Sequence, residues 1–130
     1  MGNTPEQDHE LMADGLIRAL DALKLASERL PVPISLPAVV PGMAAVELIE
    51  PIKQFRRLFE EEAITEDIKY HLDEAALSIL AAIDLTRIAV SEEIDWRLDG
   101  VLMICTNSIH ASTLAVVVLD KPFREKPHKG

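Results

Sequence analysis

The chain has 130 residues, a length that suits one domain able to bury its own core. Its net charge of −9 excludes a broad electrostatic grip on nucleic-acid phosphates or anionic lipid, and a single cysteine, Cys105, excludes an internal disulfide and any multi-cysteine metal framework. Hydrophobic residues make up 48% of the chain and aromatics only 4%; Leu and Ala dominate the apolar set, which favours helices over sheets.

Charge is unevenly placed. Residues 1–120 hold 21 acids against 9 bases, whereas the last ten hold Lys121, Arg124, Lys126 and Lys129 against Glu125. The expected organisation is one helical domain over 1–120 and a basic tail over 121–130, whose Pro122, Pro127 and Gly130 do not extend a helix. The opening MGNTPEQDHE lacks the basic start and apolar stretch of a secretory signal. Together with the lone cysteine this makes a reducing cytoplasm the expected location.

Thr4-Pro5-Glu6-Gln7 reads as a helix start, with Thr4 as cap, Pro5 at the first helical position and Gln7 placed to reach back. Met12, Leu16, Leu20, Leu23 and Leu30 then form one apolar stripe. The following segment carries Pro31, Pro33, Pro37 and Pro41, which forbid a helix and predict a stiff extended connection whose apolar residues pack along the helices. A second helical stretch spans about 43–62 through Val46, Ile49, Ile52, Phe55, Leu58 and Phe59, with a kink or restart near Glu50 where Pro51 intervenes. Thr65 reads as the cap of a third helix whose core stripe is Ile68, Leu72, Ala75, Ala76, Ile79, Ile83 and Val90.

The last stretch is ambiguous. Ile94-Asp95-Trp96-Arg97-Leu98 alternates like a strand, and Asp99-Gly100 is a favoured hairpin turn. Against that, Asp95, Asp99, Thr106, His110 and Thr113 make one polar stripe on a helix, opposite Ile94, Leu98, Val101, Leu102, Cys105, Ile109, Val116 and Leu119, and Ser91-Glu92-Glu93 supplies a start. The helix reading predicts an all-α, antiparallel four-helix bundle with a Pro-rich connection after helix 1. The alternative is α+β, with three helices followed by a C-terminal antiparallel hairpin or meander.

No catalytic constellation emerges. Asp67, His71 and Glu74 share one helix face at a spacing that can bind metal, but no Glu-x-x-His pair accompanies them and a solvated face is the simpler reading. Cys105 falls on an apolar face, where burial raises a thiol pKa and removes nucleophilicity. Ser108 and His110 diverge on a helix, and the five glycines form no phosphate loop, so no catalytic residue and no cofactor are expected. Trp96 and Tyr70 are expected as partly buried bundle aromatics, with interface anchoring as their second reading.

Val101–Leu119 holds no charged residue, which by length qualifies as a membrane span. Thr106, Asn107, Ser108, His110, Ser112 and Thr113 crowd its centre, where lipid penalises polar groups, so contact with protein is expected instead of membrane. A helix that offers solvent only neutral groups implies a cover: a protein partner or a homo-oligomer docked through Trp96, Met103, His110 and Val117. The reading is a non-catalytic acidic interaction domain acting as adaptor, chaperone or regulator. An acidic inhibitor or immunity-type protein against a basic target is the alternative, and a metal-dependent bundle enzyme the second.

Overall fold

The computed structural model describes residues 5–40, 43–91 and 95–120. It is built from α1 (Pro5–Glu28), a 3₁₀ turn (Ala45–Leu48), α2 (Ile49–Phe59), α3 (Glu66–Ser91) and α4 (Asp95–Leu119), with no strand among the described residues. The described residues form an all-α fold, and the α+β alternative does not hold: Asp99 and Gly100 lie inside one continuous helix. The Thr4 cap, the Glu92–Ile94 start of the last helix and the tail over 121–130 lie outside the described residues.

Local sequence accounts for the boundaries. At the start of α3 the Thr65 hydroxyl accepts a hydrogen bond from the Ile68 N–H (3.3 Å), while Glu66 and Asp67 sit in the first turn, where the helix dipole favours acids. Pro51 is the third residue of α2, so its missing N–H falls where no intrahelical partner exists. The chain therefore restarts at Ile49. The restart shifts the phase of the apolar face: Ile52, Phe55 and Phe59 are buried and the two rings meet at a tilt of 58° with centres 5.1 Å apart, whereas Val46 and Leu58, expected in the core, are exposed.

The helices pack around one contiguous core. Met12, Leu16, Leu20, Leu23 and Leu30 from the α1 side meet Ile68, Leu72, Ala75, Ala76, Ile79 and Ile83 of α3. From α4, Val101 and Cys105 join them together with the small residues Ser108, Ala111, Ser112 and Ala115. Small side chains facing Ala75, Ala76 and Ala82 let two helix backbones approach closely. α4 thus packs against both α1 and α3.

Residue pairs fix the helix directions. Glu74 and Ala75 of α3 meet Asn107 and Ser108, while Leu85 reaches Gly100, so α3 runs antiparallel to α4. Arg56 of α2 and Glu60 just past its end meet Asp73 and Lys69, which makes α2 antiparallel to α3 as well. α1 runs parallel to α4: Gly15 lies against Leu102 and Cys105, and Arg29 is bridged to Asp120. A bundle antiparallel throughout was the expectation; the segment between α1 and the 3₁₀ turn explains the departure. Extended at about 3 Å per residue it is long enough to return along the about 36 Å of α1. Its path shows that return, since the Val32 N–H donates to Glu62 near the end of α2 while Val39 and Met43 lie beside His9 and Ala13 near the start of α1. Ile34 and Leu36 are buried along the way.

Candidate functional site

The face that α4 leaves uncovered is the main feature with functional content. Trp96, Met103, His110 and Val117 recur every seven residues and all lie on that face; Trp96, Met103 and Val117 keep 60%, 72% and 51% of their surface exposed. Seven residues make two helical turns, so the four side chains line up nearly parallel to the helix axis. Asp99 is the only charged residue of α4 within the stripe's span that is exposed. Arg97 is half-buried and its guanidinium lies 4.7 Å from the Trp96 ring centre, a cation–π contact that fixes the indole on the surface.

The neutral polar residues between these anchors offer solvent less than their names suggest. Thr106 and Thr113 donate their hydroxyls to the carbonyls of Leu102 and Ile109, at 2.9 and 2.8 Å. Asn107 donates to Glu74 and Ser78 across the α3 boundary, at 3.3 and 3.2 Å. Ser108 and Ser112, read from the sequence as part of the polar centre of the helix, point inward and are fully buried. Their small size is the signal that separates them from the exposed threonines.

The surface continues onto α3. An open groove of about 430 Å³ runs between the two helices, lined by Tyr70, Asp73, Glu74, Leu77, Ser78, Ala81 and Ile104. Tyr70 is 65% exposed and rims this groove, so neither it nor Trp96 is the partly buried bundle aromatic expected. Leu77 and Ile104 escaped sequence reasoning, because an apolar residue at helical spacing reads as core until the neighbouring helix is placed.

A pocket of about 200 Å³ beside α1 is lined by Ile17, Val39, Met43 and Leu48, with His9 its only titratable side chain. A shallow cleft of about 270 Å³ gathers Lys53, Arg56 and Arg57, but these cations are engaged by Glu50, Asp73 and Gln54. The Asp73 hydrogen bond, with burial opposing it, raises the pKa of Arg56 further above its ordinary value.

Asp67, His71 and Glu74 do share a side of α3, yet among the described residues no three His, Cys, Asp or Glu side chains are placed to hold a metal ion. Asp67 is exposed, and Glu74 is bonded to Asn107. Cys105 is buried, and burial pushes its thiol up to about 11, which leaves almost no thiolate at neutral pH. Trp96–Leu119 is long and apolar enough to cross a membrane by length and composition alone; its most apolar 18-residue window has a mean hydropathy of 1.8, and 33% of that window is buried within the fold. Comparison with family models, curated proteins and solved structures returned no match.

Proposed function

We propose that this chain is a non-catalytic, acidic protein-interaction domain that works as an adaptor, chaperone or regulator through the exposed face of α4. The observation that carries the reading is the line Trp96, Met103, His110 and Val117, with large apolar side chains held in the open on a helix that is charge-free from Val101 to Leu119. Singly exposed apolar residues are ordinary, but aligned ones on a charge-poor face mark a place where another surface docks. Trp and Met are the residue types that such interfaces favour.

A protein surface fits better than lipid. The central turns of the face present Asn107 and His110, which hydrocarbon would penalise and a protein interface accommodates. Cytoplasmic residence is part of the same proposal, since it supplies a reducing environment for Cys105.

The test is a photo-crosslinking residue placed at His110 in the source cell, with Asp21 on the exposed side of α1 as control. The expected result is a discrete protein adduct at position 110 and none at 21, lost when Met103→Glu is added. Equal labelling at the two positions, or adducts at 110 with lipid alone, overturns the proposal.

A further inference from the structure

We propose that the pocket between α1 and the extended segment after it is a binding site for a small neutral aromatic molecule that carries one uncharged hydrogen-bond donor, of which a phenol is the simplest. None of its described lining residues belongs to α4, so the site stands apart from the interaction reading above. Its floor is Leu16 of α1 and Leu48 of the 3₁₀ turn, 4% and 3% exposed. The half-buried Val39 and Met43 supply the wall that faces α1, and the exposed His9, Ala13 and Ala44 frame the mouth. Space remains there because Ala13, Ala44 and Ala45 stand where longer side chains would fill it.

Volume sets the size of the occupant. An apolar cavity of about 150 Å³ takes up benzene, and this pocket measures about 200 Å³. One ring with one or two small substituents, about eight non-hydrogen atoms, matches it. A rigid ring also loses less conformational freedom on entry than an alkyl chain of equal size. Met43 adds a preference of its own, since a thioether packs favourably against an aromatic edge.

Charge and hydrogen bonding set its chemistry. No Asp, Glu, Lys or Arg is among the described residues that line the pocket. An ammonium group would leave water with no carboxylate to meet it, and a carboxylate would find only His9. Outside, the exposed Glu6 and Glu10 precede Ala13 on the same face of α1 and repel anions from the mouth, while Arg87, next to Thr86, is paired with Asp84 at 3.6 Å. The polar side chains of the lining are His9 and Thr86, of which Thr86 is the deeper. The Thr86 hydroxyl donates to the Ala82 carbonyl (2.8 Å), so toward a ligand its oxygen can only accept. A ring hydroxyl supplies the missing donor without bringing a charge into the pocket.

The experiment titrates the full chain with p-cresol at pH 8 and follows the methyl resonances of Leu16, Ile17, Val39, Met43 and Leu48 by proton–carbon NMR. Saturable shifts centred on these methyls are expected, with a Kd on the order of 0.1–1 mM. Benzoate and benzylammonium should bind at least about tenfold more weakly. Thr86→Val keeps the shape and removes the oxygen; it should weaken p-cresol about fivefold and leave p-xylene, in which a methyl replaces the hydroxyl, unchanged. Ala13→Leu and Ala45→Leu fill the pocket from its two sides, and each should abolish the shifts with the far-UV circular dichroism unchanged.

Absence of saturable shifts up to about 10 mM p-cresol overturns the proposal, because a ring-sized ligand in a fitting apolar pocket binds more tightly than that. So do shifts centred on the methyls of α4, charged rings that bind as well as p-cresol, binding that survives both leucine substitutions, or an equal effect of Thr86→Val on the two neutral rings. Each of these outcomes leaves the α4 interaction reading where it stands.

Discussion

Ser108 of α4 donates its hydroxyl to the backbone carbonyl of Ala75 on α3, 2.8 Å away and with no solvent contact. The bond sits where two lines of small side chains meet, so size matters there more than polarity. Ser108→Ala should cost about 1 kcal/mol or less, because the Ala75 carbonyl lies within a helix that already offers it a backbone donor. Ser108→Leu should cost about 1–3 kcal/mol by forcing α3 and α4 apart. Urea denaturation midpoints check the order; equal losses for the two substitutions would show that the hydroxyl, and not the close approach, holds this seam.

The same seam shows how far the sequence could be read. The apolar stripes of α1 and α3 were legible because Leu and Ile at steps of three, four and seven admit one buried face. The Thr65 cap was legible because its chemistry is local. The inward turn of Ser108 and Ser112 was not, since a serine is buried only where a neighbouring alanine makes room. Helix direction was not legible either: it depends on whether the segment after α1 turns back at once or runs the length of the bundle. The α4 anchors could be named from residue type, but their exposure depends on where α1 and α3 lie, and only the fold places those.

Two glycines lie in helices without a conformational reason. A Cβ added at Gly100 would meet Leu85 at 3.6 Å, and one at Gly15 would meet Leu102 at 3.4 Å and Cys105 at 3.5 Å, all ordinary contacts. Gly100→Ala should therefore raise stability by about 0.5–1 kcal/mol through helix propensity. Gly15→Ala should gain less, because its contact is the tighter one. Thermal melts of the two variants should both shift upward, with Gly100→Ala the larger.

Cys105 gives the alkaline limb of stability a defined sign. Burial raises its pKa from the ordinary 9.0 to about 11, so the folded chain holds the thiol proton over a range in which the unfolded chain releases it. Its contribution is fully present below about 9 and is lost as the pH climbs toward about 11. Melting temperature should fall across that window, and Cys105→Ala, although less stable at pH 7, should flatten the fall. A thiol reagent such as 5,5′-dithiobis(2-nitrobenzoate) should react with the native chain at pH 8 far more slowly than with the chain in denaturant. Comparable rates would mean that the thiol is not sealed between α1 and α4.

Arg56 and Asp73 join α2 to α3 through two hydrogen bonds, 2.6 and 3.3 Å long, with both side chains about a third exposed. Solvent screens the pair, so Asp73→Asn should cost only about 0.5 kcal/mol, and less at 1 M salt. A double-mutant cycle with Arg56→Gln should return a coupling energy of that order. A coupling near zero at low salt would leave apolar packing and the Lys69–Glu60 hydrogen bond to hold these helices together.

The segment after α1 makes the strongest claim on stability, because it holds α1 and α2 in the same direction. Leu36 is 8% exposed and packs with the core, whereas Val32 on the same extended stretch is 68% exposed. Truncating a buried leucine removes its transfer energy and leaves a cavity, so Leu36→Ala should cost about 2 kcal/mol; Val32→Ala should stay within about 0.5 kcal/mol. If the segment were a loose tether, both substitutions would be silent. A selective loss at Leu36, read by urea denaturation, would instead show that the segment is a strut whose alternate side chains are part of the core.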